Sequence, residues 1–177
     1  MDEIFLGYDI RVDIAAASVD WSVEDRSQFL VKSDIISPLS IDPRIWPRSQ
    51  ASPNESKDIF SGLYQKSVSV DSNEVLIFIS IVEAYFVRFS EFGFCGQGIQ
   101  RDLKAEIIGY DVSDPYYYSG ISNFDLGLDF DEKCSWASRI NDQGLFSNSS
   151  HAVEFASLLN GLASEHSPFF VFGLYRV

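Results

Sequence analysis

Basic residues are scarce in this sequence: 13 Lys and Arg stand against 26 Asp and Glu, which gives a formal net charge of −13 at pH 7. A surface with this excess of negative charge repels the phosphates of nucleic acids and of anionic lipids. Direct binding to nucleic acid or to an anionic membrane is therefore disfavoured, and rapid capture of a basic partner is favoured. The alternative is an acidic surface that serves only solubility.

Cysteine is also rare. Cys95 and Cys134 are too few for a disulfide framework, and neither has a second cysteine near it for a zinc site. The N-terminus lacks the basic start and long apolar stretch of a secretory signal. The most apolar run, residues 75–94, is interrupted by serines and charged residues and is too polar for a bilayer span. We expect a soluble cytoplasmic protein without a membrane partner.

Groups that carry out chemistry are few as well. The sequence has no Gly-x-Ser-x-Gly turn around a nucleophile, and its two histidines, His151 and His166, have no paired Ser or Cys that stands out. His166 is predicted to lie at a helix C-terminus, where the helix dipole favours a protonated imidazole, so we expect a structural role. The glycines around Cys95 lack the Lys-Ser/Thr ending of a phosphate-binding loop. We therefore predict no catalytic residue, no cofactor and no enzyme activity.

Apolar and aromatic residues, by contrast, are plentiful, at 46% and 15% of the 177 residues. This composition argues against disorder of the whole chain, and the length is typical of one domain, residues 1–177. Mixed apolar and polar runs predict strands at residues 4–12, 103–112 and 169–177.

The segment 75–81 is β-branched and apolar without alternation, which predicts a strand covered on both faces. A buried helix that continues to Arg88 is the alternative.

The clearest helix is predicted for residues 151–164, with Ser149 or Ser150 as its N-cap and an apolar stripe at helical spacing. A second helix is predicted from Asn54 to about Gln65. No internal repeat and no regular βαβ order is visible. We therefore predict an α+β fold with a mixed or antiparallel sheet and two or three helices.

Other segments are predicted to lack a clear regular element. Residues 37–53 contain four prolines, which remove backbone donors, so no strand or helix is expected there. Residues 113–121 are predicted to form a turn-rich loop, and residues 124–146 are predicted to be irregular. Residues 14–34 fit either a short helix or a strand.

The acidic residues concentrate in two stretches, residues 1–34 with a net charge of −5 and residues 102–142 with a net charge of −6. Four of those in the second stretch lie close together in sequence: Asp125, Asp129, Asp131 and Glu132. They do not match the EF-hand calcium loop, so we predict no metal site and expect a solvated face or a face toward a partner. Tyr117 lies among three consecutive tyrosines and suits an interface, since tyrosine offers a large contact area. Packing of these rings over the core is the alternative.

Two groups of residues resemble a known family. The run Gly109-Tyr110-Asp111-Val112-Ser113-Asp114, followed by Ser119-Gly120-Ile121-Ser122-Asn123, resembles a pattern of bacterial immunity proteins. Those proteins neutralise toxins delivered by contact-dependent inhibition or by type VI secretion. The C-terminal half of that group is similar to Ile140-Asn141, Gly144-Leu145-Phe146 and His166-Ser167-Pro168-Phe169-Phe170-Val171. The resemblance covers about residues 103–177.

The resemblance implies a cytoplasmic inhibitor without enzyme activity that binds one cognate toxin. Many such toxins are nucleases, and a nuclease that holds phosphates carries a basic surface, so the charge and the resemblance indicate the same kind of partner. The predicted toxin-binding residues are Asp111, Asp114, Tyr117, Asp125, Asp129, Asp131 and Glu132. For Asp111 and Asp114 the alternative is a turn cap that bonds the neighbouring backbone.

Two other functions stay open. One is a small enzyme or ligand-binding domain, which requires a pocket that holds His151 or His166 beside Cys95, Cys134 or a carboxylate. The other is a structural subunit of a larger assembly, which requires an exposed aromatic patch and stable self-association.

Overall fold

The fold is an antiparallel sheet with helices on both of its faces. The computed structural model describes residues 1–13, 45–47, 74–93, 105–115, 120–121, 128–141, 144–162 and 166–177. Within these residues the strands are β1 (Glu3–Asp13), β2 (Ile45–Pro47), β3 (Glu74–Val82), β4 (Glu106–Ser113) and β5 (Phe170–Arg176). The helices are α1 (Glu83–Ser90), α2 (Phe130–Ala137) and α3 (Ser149–Gly161). The strand order is β2-β1-β3-β5-β4, and neighbouring strands are antiparallel. The predicted α+β class is confirmed.

Strand β3 lies at the centre of the sheet, between β1 and β5. Its side chains from Leu76 to Val82 are buried on both faces, which explains why the sequence of this run is apolar without alternation. The predicted strand is confirmed, and the helical alternative describes only the residues after it. Helix α1 begins directly at Glu83, whose negative charge is favourable in a first helical turn.

The two faces of the sheet are covered by different helices. Helix α1 packs on the first face through Phe89, whose ring centroid lies 5.2 Å from that of Phe170 and 5.3 Å from that of Phe172. Helix α3 packs on the second face, where Phe155 and Leu159 belong to one buried cluster with residues of β4 and β5. The core therefore has two layers, one on each side of the sheet.

Helix α3 matches the predicted helix closely, with a shift at its start. The N-cap is Asn148, whose Oδ1 accepts a hydrogen bond of 2.7 Å from the backbone N–H of Ser150. The prediction of Ser149 or Ser150 as the cap was wrong, because both already lie in the first turn. Asparagine caps a helix as well as serine does, so the sequence alone did not separate these candidates.

Two elements contradict the sequence predictions. Residues 45–47, in the proline-rich segment, form the short edge strand β2, which pairs with Arg11 to Asp13 of β1. An edge strand tolerates proline because one of its sides needs no backbone donor. Helix α2 lies inside residues 124–146, which were predicted to be irregular. The Asp129-x-x-Glu132 spacing is typical of a capping box and indicates a helix start. The alternation of Leu126, Leu128 and Phe130 in the same segment indicates an element with one exposed face and competes with it.

Strand β4 confirms the strand predicted at residues 103–112 but carries an irregularity between Ile107 and Gly109. The alternation in the sequence places Ala105 and Ile107 on the same face of the strand. Ala105 is 5% exposed and Ile107 is 39% exposed, so the alternation does not predict which side chains are buried here. The ambiguous segment 14–34 and the helix predicted from Asn54 to Gln65 lie outside the described residues. None of the helices in the described part of the chain is long and apolar enough to cross a membrane.

Candidate functional site

The predicted contact residues that the structure describes on the surface lie together at the start of helix α2. Asp129, Asp131 and Glu132 are all exposed there. Asp129 is the N-cap, and its Oδ1 accepts a hydrogen bond of 2.9 Å from the backbone N–H of Glu132. The Glu132 Oε2 accepts one of 3.0 Å from the backbone N–H of Asp129. Two of the three carboxylates therefore hold the helix terminus, and Asp131 has no part in this capping box.

Helix α2 is fixed in position by residues on either side of its acidic start. Leu128, just before the helix, is 7% exposed and belongs to the buried cluster of the second face. In the last turn, the Trp136 ring centroid lies 5.0 Å from that of Phe155 and 6.1 Å from that of Phe146. The Arg139 guanidinium lies 4.4 Å from the Trp136 ring centroid and 3.0 Å from a carboxylate oxygen of Glu154 on α3.

The two aspartates of the family-like run lie in the interior. Asp111 is 0% exposed, and its Oδ1 accepts a hydrogen bond of 2.8 Å from the backbone N–H of Val112. Asp114 is 4% exposed, and its Oδ2 lies 3.5 Å from the His166 Nδ1. Asp111 bonds its neighbouring backbone, as the alternative to a contact role expected, but it does so inside strand β4 and not in a turn. Of the predicted contact residues that the structure describes, Asp129, Asp131 and Glu132 are therefore on the surface, and Asp111 and Asp114 are not.

The remaining predicted contact residues, Tyr117 and Asp125, lie outside the described residues. The two acidic stretches also occupy different places in the sheet. Strand β1 of the first stretch is separated from β4 of the second by β3 and β5. Three strand spacings amount to about 14 Å. The strand residues of the two stretches therefore do not form one continuous strip.

A polar network that the sequence analysis missed lies on the second face of the sheet. The carboxylate of Glu3 on β1 accepts a hydrogen bond of 2.6 Å from the Ser80 hydroxyl and one of 2.5 Å from the Tyr175 hydroxyl. Its other oxygen accepts one of 2.9 Å from the Tyr110 hydroxyl. These four residues come from four strands, so one carboxylate connects β1, β3, β5 and β4. No local pattern marks them, because strand pairing alone brings them together.

Tyr110 has the clearest change in acidity within this network. Burial raises the pKa of its phenol, and the negative charge and hydrogen bond of Glu3 raise it further, to about 12 from the usual 10.0. The neutral phenol donates to Glu3, whereas the phenolate would face a second negative charge. The contribution to stability is present below pH 10 and is lost as the pH rises toward 12.

We expect a titration of phenolate absorbance to include one tyrosine with a midpoint near pH 12 that is missing in Tyr110→Phe. Urea unfolding of the two proteins at increasing pH should show the wild type losing stability relative to the variant above pH 10. Phenylalanine keeps the ring and removes only the titrating group, so the difference spectrum isolates this tyrosine. A difference spectrum with a midpoint at the usual pKa of tyrosine would contradict the combined effect of burial and Glu3.

The contact between His166 and Asp114 joins the segment after α3 to the end of β4. The His166 side chain is 28% exposed and the Asp114 side chain 6% exposed. A buried carboxylate beside Nδ1 fixes the orientation of an imidazole and leaves Nε2 as the second site for proton transfer. The enzyme alternative requires a histidine beside a carboxylate within a pocket, and this contact supplies the pair of side chains. Cys134 is exposed on α2.

Within the described residues, no group of three or more His, Cys, Asp or Glu side chains is arranged to hold a metal ion. Comparison of the chain with protein families, with curated proteins and with solved structures finds no match.

Proposed function

We propose that this protein is an immunity protein that binds and neutralises a cognate bacterial toxin, and that the toxin domain is a basic nuclease. The observation that carries the proposal is the net charge of −13. Three of the negatively charged side chains, Asp129, Asp131 and Glu132, are exposed together at the start of α2. The resemblance of residues 103–177 to immunity proteins supports the same class of partner.

The proposed mechanism is occlusion. A nuclease holds phosphates with Lys and Arg, so its substrate surface is positively charged. An acidic protein that covers this surface excludes the nucleic acid and needs no catalytic group of its own. Complementary charge also raises the rate of encounter and disfavours partners of the wrong sign. The inhibitor acts in the cytoplasm, where it meets the delivered toxin.

Co-expression of this chain with the toxin domain encoded directly upstream is expected to restore growth of cells that the toxin alone kills. The two purified proteins should also elute as one complex in gel filtration. Because charge steers the encounter, the association rate should fall by about tenfold or more between low and high salt.

Absence of both protection and a complex would exclude the proposed function. A complex whose association rate does not change with salt would retain the binding but exclude charge steering.

The second candidate function is an enzyme that uses His166, and the observation that favours it is the contact of this histidine with the buried Asp114. The substitution His166→Gln separates the two functions. Protection equal to that of the wild type supports binding alone. Loss of protection in a folded variant, together with turnover of a substrate by the purified wild type, supports the enzyme.

A further inference from the structure

Helix α2 presents an outer face that no described element covers. Phe130 is 79% exposed, the highest value among the large apolar side chains that the structure describes. Asp131, Cys134 and Ser135 are exposed beside it, and no residue of α2 is buried. Cys134 lies about 40° around the helix axis from Phe130, and Asp131 and Ser135 extend the same exposed arc to about 100° and about 140°. We call these four residues the α2 outer face: Phe130, Asp131, Cys134 and Ser135.

Phe130 is held outward by the rest of the helix. Leu128 is inserted into the core before the helix begins, and Trp136 packs on Phe155 in the last turn. The capping box fixes the start of the helix between them. Trp136 lies about 120° around the helix axis from Phe130, at about 100° per residue. Rotation that would bury Phe130 would therefore withdraw Trp136, whose ring contacts Phe146 and Phe155.

The charged side chains near Phe130 indicate the chemistry of a partner surface that could cover it. Asp129 and Asp131 flank it in sequence, and Glu132 follows, all three exposed. Two basic side chains are described here: Lys133, three residues after Phe130 on α2, is half-buried, and Arg139, just beyond α2, is engaged by Trp136 and Glu154. An exposed aromatic side chain flanked in sequence by the carboxylates of Asp129 and Asp131 matches an apolar pocket with a basic rim. Interfaces commonly have this anatomy, with a few buried aromatic residues at the centre and a charged rim.

Resting on the proposed function, we propose that the α2 outer face is the toxin-binding surface, with Phe130 inserted into an apolar pocket on the basic surface of the toxin. Asp131 pairs with a Lys or Arg at the rim of that pocket. Phe130 supplies most of the affinity of this contact, and the Asp131 carboxylate supplies its orientation and its rate of formation.

The test of the apolar contact compares two side chains of similar exposure. The substitution Phe130→Ser is expected to weaken toxin binding by about 30-fold, the loss typical of a central aromatic residue. The matched control is Val87→Ser, since Val87 is 74% exposed on α1 and α1 covers the opposite face of the sheet. Both substitutions remove an exposed side chain, so thermal melting should confirm that both variants fold like the wild type.

The test of the charged rim uses two substitutions with the same change in net charge. We expect Asp131→Lys to slow association several-fold and to reduce its salt dependence. The matched control is Glu91→Lys, because Glu91 is exposed at the end of α1. Asp129 is unsuitable for this test because it caps the helix.

Cys134 provides a third measurement that needs no substitution. Its thiol is exposed on the same helix face, one turn from Phe130. Labelling by a maleimide, followed by peptide mass spectrometry to separate Cys134 from Cys95, should be at least about tenfold slower in the complex than in the free protein.

The outcomes separate this proposal from the proposed function. If the wild type binds the toxin, and Phe130→Ser and Asp131→Lys bind as well as their controls with Cys134 still reactive, the α2 outer face is not the interface and the proposed function stands. If the wild type forms no complex, both proposals fail. If both variants bind weakly while their controls match the wild type, the surface is established.

Discussion

Replacement of Phe172 by alanine is expected to lower the free energy of unfolding by about 3–5 kcal/mol, the range for truncation of a buried phenylalanine. Phe172 is 0% exposed, and its ring contacts Phe89 of α1 at a centroid distance of 5.3 Å. It pairs with Ile81 on one side and with Asp111 on the other. The substitution therefore opens a cavity between the sheet and α1, where three strands meet.

A domain is typically stable by about 5–15 kcal/mol, so this loss is a large part of the total. Urea denaturation followed by circular dichroism measures it. The control Val87→Ala truncates a side chain that is 74% exposed and should change stability by less than about 0.5 kcal/mol. Equal effects of the two substitutions would contradict the position of Phe172 in the core.

The second large effect is expected for Gly173→Ala, which should destabilise the protein by about 2–4 kcal/mol. A Cβ atom at this position would lie 2.5 Å from the Ser80 Oγ and 2.9 Å from the Glu3 Oε2. Ser80 is 0% exposed and has little room to move. The methyl group would displace the Glu3 carboxylate, and the hydroxyls of Ser80 and Tyr175 would lose their acceptor.

A control glycine distinguishes this close contact from a general effect of glycine replacement. Apart from its chain neighbours and its own helix backbone, no atom of the described residues lies within 4 Å of a Cβ placed at Gly161, at the end of α3. The substitution Gly161→Ala should therefore be neutral or stabilising by up to about 1 kcal/mol, because alanine favours helix. Denaturation of both variants gives the comparison.

A double substitution identifies the atom responsible. In a Ser80→Ala background, Gly173→Ala should cost less than it does alone, since the nearest atom has been removed. Strict additivity of the two substitutions would mean that the contact with Ser80 does not cause the loss of stability.

The elements that the sequence predicted well are those whose signals are local. The apolar run of β3, the terminal strand β5 and the stripe of α3 each follow from a few consecutive residues, because burial of one or both faces imposes a period on the sequence. The N-cap of α3 also depends on neighbouring residues only, although the sequence favours Ser149 or Ser150 and the structure has Asn148 there. Helix α2 had a local signal as well, in Asp129 and Glu132, but a competing alternation hid it.

Burial of individual polar residues was not predictable in the same way. Asp111 and Asp114 have the same side chain as Asp129 and Asp131, yet the first two lie in the interior and the last two are exposed. Asp111 lies in β4, which pairs with β5, and Asp114 follows directly after β4 and contacts His166. Charge counted along the chain therefore overestimated the number of carboxylates on the surface.

By itself, the sequence determined the sign and size of the charge, the α+β class and the positions of its most strongly patterned strands and helix, since these depend on composition and on neighbours along the chain. Only the tertiary structure decided which carboxylates are on the surface, that Phe130 is exposed among three of them, and that Glu3 accepts hydrogen bonds from three other strands. The physical reason is register. A period of two residues shows that a strand has two faces, but the pairing of residues 3, 80, 110 and 175 depends on contacts between segments far apart in the chain.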